Sequence, residues 1–191
     1  MEKDRLAAFS DGVIAIIITI MVLELKAPHG ADFASLLVLA PVFLSYVLSF
    51  IYVAIYWNNH HHMLHTVTRV KGGILWANMH LLFWLSLIPF ATAWMGENHF
   101  AALPTALYGV ALLMSAIAYS VLQNTIICTQ GEQSVLKSAI GRDVKGRLSV
   151  VLYVLAIGVS FVSPLAANLI YVGVALMWLL PDRRIERTVN T

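Results

Sequence analysis

From Leu148 to Pro181 the chain runs 34 residues without a charged side chain, broken only at Ser163-Pro164 and Asn168. A single helix over that stretch would be about 50 Å long, well beyond a hydrocarbon core of about 30 Å even when tilted. Two short helices joined by a tight turn at Ser163-Pro164 fit it, because the residue before a proline is pushed out of the helical region. Such a run leaves few folds open. In lipid the backbone must satisfy its own N–H and C=O groups, and a helix does so within one segment.

The same reading along the chain gives an all-α membrane protein with six spans, roughly 6–26, 36–58, 72–95, 104–128, 148–163 and 165–181, forming a single domain over residues 1–191. Composition agrees. Of the residues 60% are hydrophobic and 12% are charged, where an ordinary globular domain is about 25% charged; the mean hydropathy is +0.80. The loop from Thr129 to Arg147 is the longest polar stretch, long enough for a brief surface helix and too short for a soluble domain.

Charge placement sets the orientation. With the N-terminus in the cytoplasm, Lys3, Arg5, Arg69, Lys71, Lys137, Arg142, Lys145, Arg147, Arg183, Arg184 and Arg187 fall inside and only Lys26 falls outside. Eleven against one is a strong positive-inside asymmetry, and a five- or seven-span count would break it. Both termini are expected in the cytoplasm and the protein in the cell membrane. The net charge of +2 comes from these flanking residues, with no basic stripe and interleaved aromatics of the kind nucleic acid requires. The single cysteine, Cys128, excludes an intrachain disulfide and a multi-cysteine metal site. The first residues are not expected to act as a cleaved signal peptide, since Asp11 sits where an apolar core would begin.

The first span carries the chemistry. It opens Arg5-Leu6-Ala7-Ala8-Phe9-Ser10-Asp11-Gly12 and then turns wholly apolar. An ionisable group at membrane depth is costly and marks a functional site by default. At about 100° per residue, Ile16, Thr19, Ile20 and Leu23 share one face, with Gly12 one turn earlier, while Asp11 lies about 140° from Ile16. Lipid contact or helix packing would account for the stripe, and Thr19 can bond its own i−4 carbonyl. Asp11 is in the second turn, where the helix dipole fades, and Arg5 is not at the i+3 or i+4 spacing needed to pair with it. Its partner should lie on another helix. His80, at similar depth in the third span, is the first candidate. Asn78, the Trp76 and Trp84 indoles and a histidine of the second span compete.

The Arg5-x-x-x-Phe9-Ser10-Asp11 motif, followed by Gly12-Val13-Ile14-Ala15-Ile16, resembles the first helix of the TMEM175-like potassium channels. Ser49-Phe50 and Trp57-Asn58-Asn59-His60-His61 are similar to the second helix of that family, and Leu85-Ser86-Leu87-Ile88-Pro89-Phe90 to its third. These motifs cover about the first half of the chain; the second half matches only in its pattern of spans. The resemblance implies a six-span subunit of a passive, potassium-permeable channel, four copies surrounding a central pore lined by the first helix, as in the single-repeat prokaryotic form. It implies no cofactor and no Thr-Val-Gly-Tyr-Gly filter, and none occurs here. Carried over by position, the pore layers fall on Ile16, Thr19 and Leu23. Rings of Ile16 or Leu23 would constrict the axis and gate by dewetting. A ring of Thr19 hydroxyls would face the ion. Gly12 would leave the cytoplasmic mouth wide, Glu24 would enrich cations at the outer mouth, and Arg5, Phe9, Ser10, Asp11 and His80 would support the wall from behind.

Other features are read more plainly. His61 and His65 stand at i, i+4 and could chelate a metal, but no carboxylate or cysteine completes a site. The expectation for His60, His61, His62 and His65 is therefore interfacial hydrogen bonding, with no metal. Trp57, Trp76, Trp94 and Trp178 lie toward span ends, as in an interfacial belt. No phosphate loop, His-Glu-x-x-His or Gly-x-Ser-x-Gly motif occurs, so no enzyme is expected. The alternative to a channel is a small proton-coupled transporter using Asp11 and His80 as a relay.

Overall fold

The computed structural model describes residues 3–131, 134, 136–137 and 143–179. All regular structure among the described residues is helical: α1 Lys3–Leu23, α2 Phe33–Val38, α3 Ala40–His65, α4 Gly72–Ser86, α5 Ile88–Glu97, α6 Ala102–Gln130, α7 Val144–Ser160 and α8 Pro164–Leu179. Four segments are long and apolar enough to cross a membrane: α1, α3, α4 together with α5, and α6. The 17 and 16 residues of α7 and α8 reach about 24–26 Å at 1.5 Å per residue.

Two of the apolar runs are interrupted in the same way. α2 passes to α3 through Leu39 and α4 to α5 through Leu87, each with a proline two residues later, Pro41 and Pro89. A proline contributes no N–H and is tolerated only in the first turn of a helix. Each run therefore restarts at its proline: Phe43 N bonds Leu39 O at 2.9 Å and Ala91 N bonds Leu87 O at 3.1 Å. The expected third span is thus two helices in series. The expected turn between the last two spans is present, with Ser163 N on Val159 O (2.8 Å) and Ala166 N on Ser163 Oγ (3.3 Å).

α3 runs seven residues past the expected end of the second span, to His65. The polar run Asn58-Asn59-His60-His61-His62 marks a drop in hydropathy rather than the end of a helix, because His60 and Met63 remain buried against neighbouring elements. Part of the Thr129–Arg147 loop, in which a brief surface helix is expected, lies outside the described residues: 132–133, 135 and 138–142. Ser134 and Leu136 are described and buried, and Leu136 joins the core beside α1, α3, α4 and α6. The last two residues of the expected sixth span also lie outside the described residues.

The helices alternate in direction. Lys3 Nζ donates to His65 O (3.3 Å) and Gln130 Nε2 to Thr66 O (2.7 Å), so the start of α1 meets the ends of α3 and α6. At the other end Lys26 pairs with Glu97 at 3.8 Å. The core has two parts. One packs Leu6, Ile14, Ile17 and Met21 of α1 on Val53, Ile74, Leu81, Leu85 and Leu122. The other gathers Tyr52, Met95, Tyr108, Leu112, Tyr153 and Tyr171 from α3, α5, α6, α7 and α8. Close approach there depends on glycine. A Cβ on Gly96 would stand 2.8 Å from the Val42 backbone, and one on Gly109 would meet the Tyr171 ring.

Candidate functional site on the first helix

Only one side of α1 is packed. Leu6, Ser10, Ile14, Ile17 and Met21 are buried, a 3.6-period stripe facing α3, α4 and α5. The opposite side is uncovered along the helix: Arg5, Phe9, Gly12, Ile16, Thr19, Ile20 and Leu23 are exposed, Ile16 at 59% and Leu23 at 74%. A Cβ placed on Gly12 would meet nothing within 4 Å. Large apolar side chains left open in a line mark either lipid or a second protein surface.

Two neighbouring polar residues hold the packed side. Ser10 Oγ donates to Leu6 O (2.9 Å). With its one proton committed, it accepts from Asn78 Nδ2 of α4 at 2.9 Å. That orients the amide so that Asn78 Oδ1 faces His60 Nε2 of α3 at 2.7 Å. The His60 Nε2 must then carry the proton, leaving Nδ1 as the acceptor nitrogen; it is buried and without a partner among the described residues. Ser10, Asn78 and His60 are all at most 1% exposed. This directed row ties three helices together where lone polar groups would each cost desolvation.

Asp11 is tied separately. Trp57 Nε1 of α3 donates to Asp11 Oδ1 at 2.9 Å. Trp57 and His60 are three apart on α3, so both project toward α1. The expected partner, His80, is elsewhere: its Nε2 accepts from Trp84 Nε1, one turn on, at 2.9 Å. His80 is exposed on another side of α4 from the buried Asn78. The Asp11–His80 contact on which a proton relay would rest is therefore absent. Trp57 is an anchor for α1 as well as an aromatic residue toward the end of its span. The signal for it was its i, i+3 spacing with His60.

Arg5 and Phe9 are exposed on the same side as Ile16, not behind it; one turn is about 100° × 3.6, so positions 5, 9, 12, 16 and 23 fall within a narrow sector. Arg5 has no partner among the described residues. Thr19 Oγ1 donates to Ala15 O at 2.9 Å. With the hydroxyl proton turned to the backbone, the oxygen lone pairs remain for an electropositive neighbour on the uncovered side. Of the other histidines, His61 and His65 Nε2 atoms lie 3.1 Å apart, and no group of three metal-capable side chains occurs among the described residues.

These features define a multi-pass α-helical membrane protein whose first helix is fastened by polar contacts on one side and open on the other. The family model described as "Endosomal/lysosomal potassium channel TMEM175" matches residues 5–89, the stretch that holds the anchors. A potassium channel of Chryseobacterium sp. is 59% identical over 190 residues, covering 100% of this chain and 99% of that one. A potassium channel of Streptomyces collinus is 33% identical over 132 residues, 63% of each chain. The crystal structure of a lysosomal potassium-selective channel TMEM175 homolog from Chamaesiphon minutus superposes with a TM-score of 0.83 at 30% identity, covering 95% of this chain and 98% of that chain. The chain belongs to the TMEM175 family.

Proposed function

We propose that this protein is a potassium-permeable channel, passive, and built from four copies that place α1 around a common axis. Each copy contributes six spans, counting α2–α3 and α4–α5 as one span each, with both termini in the cytoplasm of a cell whose surface membrane holds it. The observation that carries the reading is the uncovered face of α1. A lone subunit would leave Ile16, Thr19, Ile20 and Leu23 open, while four-fold closure places them around a lumen. Ile16 and Leu23 then form the apolar constrictions and the Thr19 oxygens a ring between them, where a partly dehydrated cation finds acceptors. The names borne by the relatives at 59% and 33% identity support potassium as the ion.

The test is electrical. Purified protein in a planar bilayer under opposed K⁺ and Na⁺ gradients should give discrete currents that reverse toward the K⁺ potential, and light scattering should give the mass of four chains. Silent bilayers from a verified tetramer, or a reversal potential at zero, would overturn the assignment.

A further inference from the structure

At the end of the bundle opposite the Lys3–His65 contact, a groove of about 470 Å³ opens between the residues that follow α1, the short helix α2 and the start of α3. That volume is in the range of small-molecule sites. Leu25, Phe33, Leu36, Val42 and Phe43 are among its lining residues, and Lys26 is the one polar side chain in the lining. No residue of α2 is buried, but both of its ends are tied. Asp32 Oδ1 accepts from Ser35 N at 2.9 Å, and Leu39 N bonds Leu36 O at 3.1 Å where the chain turns into α3.

The lining decides what can lie there. One turn of an α-helix, about 10–12 Å across and 5.4 Å long, fills about 420–610 Å³, so the groove has room for a single turn at most. A loop or strand would bring N–H and C=O groups among apolar side chains, where each unpaired group is costly. An acyl chain brings none. At the polar end, Lys26 Nζ stands 3.8 Å from Glu97 Oε1, and both side chains are exposed. Glu97 is held beside the groove by its neighbour Gly96, where a Cβ would stand 2.8 Å from the Val42 Cα. One exposed pair at that distance is worth little, so each partner can exchange it for a charge-assisted bond to a ligand. Ammonium and carboxylate side by side match a zwitterionic head, with phosphate on the first and amine on the second. A purely anionic head would find one partner and one like charge.

We propose that this groove holds an acyl chain of a zwitterionic phospholipid, with the phosphate on Lys26 and the amine on Glu97. The test is native mass spectrometry of the detergent-purified protein, titrated with phosphatidylethanolamine or phosphatidylglycerol carrying the same chains. Phosphatidylethanolamine should bind saturably and about tenfold more tightly. Glu97→Gln should erase that preference, because the amine loses its partner. Lys26→Gln should weaken binding of both lipids. Ala40→Phe, which fills the groove from the start of α3, should abolish it. Ile16→Ala should leave it unchanged, which separates this site from the open face of α1. Equal affinity for the two lipids, a preference that survives Glu97→Gln, or wild-type binding in Ala40→Phe would each overturn the proposal. Wild-type lipid binding with loss of assembly in Ala40→Phe would assign the groove to a contact between copies instead. Glu97→Gln and Lys26→Gln, both at exposed positions, decide the matter even where the filled groove prevents folding. None of these readouts depends on ion conduction.

Discussion

Single atoms decide how α1 is held. The Ser10 hydroxyl serves as donor to its own helix and acceptor from Asn78, so Ser10→Ala leaves a buried amide N–H with nothing to bond. A buried donor left unpaired costs about 1–3 kcal/mol, and the variant should unfold at a correspondingly lower denaturant or temperature midpoint, measured by circular dichroism in detergent. Asp11 and Trp57 form a second, less buried tie. Asp11→Asn and Trp57→Phe should both lower the yield of assembled protein on size exclusion while the assembled protein that survives keeps the wild-type K⁺/Na⁺ ratio; a changed ratio with full assembly would place Asp11 in the ion path. Sequence alone marked Asp11 as needing a partner from another helix, because a carboxylate in the second turn of an apolar run has few local options. It did not supply the partner. Depth along a helix follows from counting residues, but the side of α4 that faces α1 is set by packing. Asn78 faces inward while His80, two residues on and about 200° around, faces away. Spacing within α1 already puts Arg5 on the side of Ile16 and Leu23; what it could not tell is that this side is the open one.

Among the elements, the apolar runs were legible because bilayer thickness and backbone hydrogen bonding leave helices as the solution. Where the sequence misleads is at their ends and joints. The polar stretch Asn58–His62 reads as an exit from the membrane, yet α3 continues through it because His60 has Asn78 to bond. Pro89 lies in a run that reads as one span, and its missing N–H divides that run at Leu87. Contacts between elements also hinge on residues with no chemistry to announce them. Gly96 at the end of α5 lies so near α3 that a Cβ would approach the Val42 Cα at 2.8 Å. Since backbone cannot yield as a flexible side chain does, Gly96→Ala should cost about 1–3 kcal/mol, the usual range for overpacking, seen as a lower melting temperature. Gly12→Ala, with open space about it, should leave the melting temperature unchanged or slightly raised by helix propensity.

At the scale of the molecule, the surface of α1 is the unfinished part of the fold. Ile16→Ala and Leu23→Ala remove the bulk of the two proposed constrictions and should each raise single-channel conductance or open probability in bilayer recordings at constant tetramer yield. Currents unchanged in both variants would move the pore to another face. The stripe itself was visible from helical period, since Ile16, Thr19 and Leu23 recur at i, i+3 and i+7. Which of lipid, packing or lumen it meets was not, because an apolar side chain suits all three.

The anchors on α1 are not spread along it. Ser10 and Asp11 lie in its first half, and beyond them, up to the exposed Lys26–Glu97 pair past its end, the described contacts of the helix are the apolar ones of Ile14, Ile17 and Met21. Apolar contacts slide where hydrogen bonds do not. The helix is thus a lever with its fulcrum near Asp11 and an arm of twelve residues to Leu23, about 18 Å at 1.5 Å per residue. A tilt of about 5° about that fulcrum carries Leu23 through about 1.6 Å while Gly12 scarcely moves. Four such levers acting together would vary the aperture at one end of the conduit and leave the other at constant bore.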